Sequence, residues 1–182
     1  MQLILLLVIV SVVCITLQTP SLSTLYEWRA DSIAQGDWLR ILSGNFTHTN
    51  FTHLAMNLAA LWIVAFIFRP TARIYGLLLL IISVAVGFGL LFTDTQAYLG
   101  LSGSLHGMFI FFALTEALNG RKSSWLLVAG AIIKVTWEQY AGSPLSSEVA
   151  INAPVAVDAH LFGLLSGIGF ALLYHSRYKN VP

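Results

Sequence analysis

Charge is what this chain has least of: of its 182 residues only 9% are Asp, Glu, Lys or Arg, against 57% hydrophobic. Soluble domains carry about 25% charged residues, so a water-soluble globule is excluded. Lysine and arginine exceed the acids by one, which gives no reason to invoke a nucleic acid. Cysteine occurs once, at Cys14 inside an apolar run, so no intrachain disulfide can form. Proline occurs five times, and neither a low-complexity tract nor an internal repeat interrupts the apolar segments.

What is present is a series of long apolar runs. Crossing the hydrocarbon core of about 30 Å takes about 20 residues of helix. Six short segments fit, at about 3–19, 51–68, 75–92, 102–118, 124–140 and 158–174. They predict an all-α membrane protein, a single six-helix transmembrane domain over residues 1–182 embedded in a lipid bilayer. No basic stretch precedes the first run and no small-residue cleavage site follows it, so it reads as an uncleaved helix. Residues 20–50 form the longest polar stretch, with Trp28 and Trp38 expected as interfacial anchors.

The basic residues orient the trace. Arg69, Arg73, Arg121, Lys122, Arg177 and Lys179 fall on one side, Arg29 and Arg40 on the other. The positive-inside rule then places both termini in the cytoplasm and the starts of the second, fourth and sixth segments on the outer side. His53 and Asn57, Ser102 and His106, and His160 thereby come to one depth. Intramembrane polar groups are costly and face the bundle interior or a water-filled cavity, so their convergence marks a functional site.

Ser102 lies in Gly100-Leu101-Ser102-Gly103-Ser104-Leu105-His106-Gly107, where the fourth segment begins. Backbone N–H groups at a helix N-terminus lack intrahelical partners and stabilise an oxyanion. Small residues there also permit close helix contact, so Ser102 reads either as a cap or as a nucleophile. His160 is the candidate base. Gly163 and Gly167 follow it on its own face, as Gly103 and Gly107 follow Ser102, and Gly100, Gly103, Gly107, Gly163 and Gly167 are expected to serve helix packing. Asp158, two residues before His160, points to another face, so no acid is evident to orient the histidine and the reading is a Ser-His dyad. His106 is expected to hold the His160 ring by stacking. Three imidazoles at one depth also suit a metal or haem, but that leaves the serine and the glycines unexplained; the reading needs no metal and no cofactor.

Together, Gly100-Leu101-Ser102-Gly103, His53-Leu54-Ala55-Met56-Asn57 and Ala159-His160 with Gly163 and Gly167 resemble the signature of rhomboid intramembrane serine proteases. The resemblance implies Ser102 as nucleophile, His160 as base, and His53, Asn57 and the Ser102 backbone as the oxyanion hole. It also implies that residues 20–50 form a membrane-embedded hairpin, and that the fifth segment with the 141–157 loop gates entry of transmembrane protein substrates. His106 stands where most rhomboids carry tyrosine, and Trp38-Leu39-Arg40 replaces a contiguous Trp-Arg pair. Gly-Leu-Ser-Gly-x-x-His-Gly, the Leu42-to-His48 run, and Lys134 with Trp137-Glu138-Gln139 resemble the rhombosortase branch, implicated in processing bacterial exported proteins that end in a Gly-Gly motif, an apolar helix and a basic tail. That resemblance places the chain in a bacterial inner membrane with its site toward the periplasm. Two alternatives stay open, a rhomboid protease of other single-span proteins and an inactive pseudoprotease that binds membrane helices. Lys134 and Glu138, one turn apart in the fifth segment, are expected to handle substrate. Their order, lysine before glutamate, is the less favourable one for an i,i+4 pair.

Overall fold

Pro20 sets the first departure from these expectations. In the computed structural model, which describes residues 1–179, helix α1 (Gln2–Thr16) stops three residues earlier than the apolar run. Thr19 is extended, since a residue before proline is driven out of the helical region, and α2 (Pro20–Tyr26) leaves at 103° to α1. Then come β1 (Trp28–Arg29), α3 (Ala30–Ala34) and α4 (Arg40–Ser43), with a 3₁₀ turn over Gly44–Phe46. The chain continues through α5 (Phe51–Phe68), α6 (Ala72–Gly89), β2 (Ala97–Tyr98), α7 (Ser102–Leu118), α8 (Ser124–Ala141), α9 (Leu145–Ile151) and α10 (Val157–Lys179).

Caps explain several boundaries. The Asn50 side chain accepts from the His53 N–H at 2.8 Å and starts α5, which ends on the left-handed Arg69 just before Pro70. Thr71 accepts from the Ile74 N–H, so α6 begins at Ala72, three residues before the expected start, and gives way to a 3₁₀ turn over Leu90–Phe92. Helix α10 runs on through the polar tail, past the expected end at 174; the Lys179 side chain lies outside the described residues.

Among the described residues three helices can cross a membrane by length and composition, Phe51–Phe68, Ala72–Phe92 and Val157–Arg177, and a fourth span arises if the bent α1–α2 pair counts as one. The other two long helices are special. Helix α7 is 17 residues long and buries most of its length at the centre of the bundle, while α8 carries Lys134 and Glu138. Helix α1 turns Ile4, Leu5, Val8, Ile9, Val12 and Val13 outward. In lipid such exposure costs nothing, and cohesion comes from close packing and internal hydrogen bonds rather than from hydrophobic burial.

The α7–α10 contact is the closest of these packings. A Cβ on Gly103 would come 2.7 Å from the Ala159 carbonyl oxygen, and one on Gly107 would come 2.6 Å from that of Gly163; Cβ atoms on Gly163 and Gly167 would overlap the carbonyls of Gly103 and Gly107. Backbone thus lies directly on backbone along two turns.

The segment before α5 is anchored by polar groups. Trp28 is fully buried and donates its indole N–H to the Gly87 carbonyl at 2.9 Å, so it is a core residue and not the expected interfacial anchor; Trp38 is exposed. Arg40 is buried, paired with Asp37 at 2.6 Å and donating to the carbonyls of Thr24 and Glu27. Asn45, Ser83 and Ser104 form a buried network, with Ser104 donating to Asn45 Oδ1 at 2.9 Å. The antiparallel β1–β2 register, Trp28 with Tyr98 and Arg29 with Ala97, ties this anchored segment to the residues just ahead of Ser102.

Candidate active site

Ser102 is the first residue of α7, and His160 enters in the first turn of α10. The glycine contact brings the two helix starts together. Ser102 Oγ lies 3.0 Å from His160 Nε2, within hydrogen-bond reach. His160 is 4% exposed. His106, one turn beyond Ser102, has Nδ1 2.7 Å from the Ser102 carbonyl oxygen, and its ring stacks on that of His160 with centroids 4.1 Å apart and planes 24° from parallel.

The expectation that no acid reaches His160 is overturned. Glu138, from α8, is 5% exposed and places Oε2 2.9 Å from His160 Nδ1. Its other oxygen, Oε1, lies 2.6 Å from Lys134 Nζ. Both Glu138 oxygens thus have protein donors, and half-exposed Lys134 lines the cavity beside Ser102.

On α5, Asn57 is 5% exposed and its Nδ2 has no hydrogen-bond partner within the protein. A buried donor left unpaired costs roughly 1–3 kcal/mol, so the position asks for an acceptor supplied from elsewhere. Gly100 explains how the site accommodates α5. Its φ of +121° is in the left-handed region, and a Cβ there would come 2.7 Å from His53 Nε2 and 3.4 Å from Asn57 Nδ2. Gly100 therefore makes room for the α5 side chains and takes no part in the α7–α10 packing expected of it.

His53 differs from the expected donor. Thr49 Oγ1 donates its single hydrogen to the Ile151 carbonyl at 2.8 Å, so toward His53 Nδ1, 3.1 Å away, it accepts. Nδ1 then carries the ring proton, and Nε2 of the neutral ring is a lone pair; His53 donates there only as an imidazolium. Beneath it, edge-on at 5.2 Å, lies His48, whose burial pushes it down to about 3, helped by the neighbouring His53.

Two cavities meet at Ser102. One of about 430 Å³ runs between α5 and α8 past Asn57, Ser102, His106 and Gly130. The other, about 1010 Å³, opens above it under the 143–158 segment and is lined also by His53, Glu138 and His160. Helix α9 covers this mouth and is tied to the start of α5, because Asn50 donates to the Ala150 carbonyl and Thr49 to that of Ile151.

Ligand atoms of His106, Glu138 and His160 lie within 4.8 Å of one another, the spacing of a metal site. Their contacts are those of a hydrogen-bonded chain instead. Both His160 nitrogens and both Glu138 oxygens have protein partners, and imidazole lone pairs lie in the ring plane, so two stacked rings do not aim at a common ion.

The site residues that sequence reasoning missed are Thr49, His48 and the link from Glu138 to His160. Comparison with known proteins agrees with the architecture. No curated protein matches the chain. A family model described as the Rhomboid domain matches residues 35–177, which takes in the candidate site and all but the first of its long helices, and the chain belongs to the rhomboid family of integral membrane proteins.

Proposed function

We propose that this chain is an intramembrane serine endopeptidase in which Ser102 is the nucleophile and His160 the general base. Members of its family are intramembrane serine proteases. The observation that carries the reading is the 3.0 Å contact of Ser102 Oγ with His160 Nε2 at a helix N-terminus, beside the unpartnered Asn57 amide. Ser102 Oγ attacks the scissile carbonyl carbon, its proton passes to His160 Nε2, and the carbonyl oxygen takes the electron pair. That oxyanion accepts from the Ser102 N–H and from Asn57 Nδ2, with His53 contributing when protonated. Collapse expels the amine, which takes the proton from His160 and leaves an acyl-serine. Water, deprotonated by His160, hydrolyses it and restores Ser102.

The substrate reading follows the rhombosortase resemblance: bacterial exported proteins with a C-terminal Gly-Gly motif, an apolar helix and a basic tail. In this reading α1, α5, α6, α7, α8 and α10 all span the bacterial inner membrane as one domain, both termini are cytoplasmic, and the site opens toward the periplasm. The basic asymmetry between the two sides supports that orientation.

The test combines fluorophosphonate labelling of membranes with cleavage of a Gly-Gly reporter. Labelling and cleavage should both vanish in Ser102→Ala and His160→Ala while insertion stays normal. Cleavage persisting in both variants refutes the protease reading. Labelling without cleavage of the Gly-Gly reporter, but with cleavage of another single-span protein, replaces the substrate class.

A further inference from the structure

We propose that Glu138 is a positioning residue, whose carboxylate fixes the tautomer and orientation of His160, and that Lys134 fixes the carboxylate in turn. The proposal rests on the reading of Ser102 and His160 as nucleophile and base. The contacts form one line across three helices: Lys134 Nζ at 2.6 Å from Glu138 Oε1, Glu138 Oε2 at 2.9 Å from His160 Nδ1, and His160 Nε2 at 3.0 Å from Ser102 Oγ.

An ionised carboxylate only accepts hydrogen bonds. His160 Nδ1 must therefore carry the ring proton, which leaves Nε2 as a lone pair facing the serine hydroxyl. That is the tautomer a base needs. The alternative tautomer, with the proton on Nε2, cannot take the serine's proton at all. When Ser102 attacks, its proton moves to Nε2 and the resulting imidazolium sits against the carboxylate, with the Nδ1 proton staying on Nδ1. On collapse the Nε2 proton leaves with the amine. The carboxylate is neither protonated nor consumed.

The competing roles fit less well. A pair built to bind a peptide turns its acceptor toward the cavity, whereas Glu138 is 5% exposed and each of its oxygens already faces a protein donor. A pair built only for stability has no use for His160, and lysine before glutamate is the weaker i,i+4 order. Burying a carboxylate is costly unless its oxygens are satisfied, and these two are satisfied by a cation and by the base itself. Ring stacking by His106 restrains the tilt of the His160 ring but does not select its tautomer, so the two restraints are complementary.

The experiment measures labelling of the full-length, detergent-purified protein by a small alkyl fluorophosphonate, which carries no peptide to be recognised. At neutral pH, Glu138→Gln should lower the limiting labelling rate by about 10² to 10⁴, in line with loss of the acid in other serine proteases, while the half-saturating probe concentration changes little. Glu138→Asp, which keeps the charge, should recover part of that rate. Lys134→Met should slow labelling by about tenfold, less than Glu138→Gln because the carboxylate remains. Native labelling rates in Glu138→Gln with loss of Gly-Gly reporter cleavage overturn the proposal in favour of substrate handling, and so does Glu138→Asp performing no better than Glu138→Gln. If Glu138→Gln does not fold, Glu138→Asp and Lys134→Met carry the test, and native rates in both overturn it. Failure of the native protein to label at Ser102 is a different result, which removes the underlying protease reading and this proposal with it.

Discussion

Gly163 lies against the carbonyl of Gly103, so close that any side chain on it would overlap that oxygen. The Ser102–His160 contact depends on this approach, because the two residues start the helices that the glycines press together. An alanine in a helix is ordinarily about 1 kcal/mol better than glycine, but the atom it would meet here is backbone and cannot swing away. Overpacking of this kind costs roughly 1–3 kcal/mol and outweighs the helix preference. Gly163→Ala should therefore lower the melting temperature and slow Ser102 labelling together. Gly169, on the same helix with nothing within 4 Å of where a Cβ would stand, is the control. Gly169→Ala should leave both unchanged or raise stability slightly; equal effects at the two positions would show that backbone contact is not what matters at Gly163.

Gly130 faces open space in the cavity between α5 and α8, again with no atom within 4 Å of a Cβ position. A larger residue there meets no protein atom at its first carbon and projects into the slot beside Ser102. Gly130→Leu should keep the fold and the labelling rate with a small probe, yet reduce cleavage of a membrane-anchored reporter by about tenfold or more, an order-of-magnitude expectation for blocking a binding slot. A normal cleavage rate in this variant would show that substrate does not pass between these helices.

How much of the molecule is legible in its sequence depends on the range of the interaction. Local signals carry well: the helix start at Ser102, the i,i+4 relation of His53 and Asn57, and the glycine face shared with His160 all lie within a turn or two of sequence. Tertiary partnerships do not. Glu138 stands 22 residues before His160, and what turns its carboxylate inward is the rotation of α8, which no local pattern reports. The spacing of Lys134 and Glu138 points to a pair on one helix, whereas the same carboxylate also serves a second helix. Trp28 shows a further limit. An interfacial and a buried tryptophan both need a partner for the indole N–H, and only the fold reveals that the Gly87 carbonyl supplies it. Gly100 shares the small-residue spacing of the packing glycines, yet its left-handed φ and the His53 ring beside it give it a different task.

His48 gives the fold a pH dependence whose sign follows from its burial. The ring is 1% exposed and is pushed from 6.5 down to about 3. Above pH 6.5 it is neutral both folded and unfolded, and its titration adds nothing to the pH dependence. Between 6.5 and 3 the unfolded chain takes up a proton that the folded chain refuses, so stability should fall as pH drops through that window, by up to about 1.4 kcal/mol per pH unit from this group. Phenylalanine at this position keeps the ring and removes the titration. Melting temperatures in detergent at about pH 7 and about pH 4.5 should therefore differ more for the native protein than for His48→Phe, and equal slopes would remove His48 as the cause.

Asn57 and His53 should separate in their effects on turnover, although the family resemblance groups them. Asn57 Nδ2 is a buried donor without a partner, held beside Gly100 and lining the cavity at Ser102, so it can meet a developing oxyanion with no rearrangement. His53 has its proton committed on Nδ1 toward Thr49 and offers a lone pair at Nε2. Loss of one oxyanion donor typically costs about 10² to 10³ in kcat. Asn57→Ala should fall in that range with KM little changed, because the interaction is made chiefly in the transition state. It should also leave stability unchanged or raise it, since the variant removes an unsatisfied buried group. His53→Ala should cost less at about pH 8, where the neutral ring gives no donor at Nε2. Thr49→Val tests the tautomer directly: it frees Nδ1 from its acceptor, lets the ring carry its proton on Nε2, and should leave Asn57→Ala less damaging than in the native background. If His53→Ala is the more damaging change in the alkaline assay, the proton resides on Nε2 and the assignment through Thr49 is wrong.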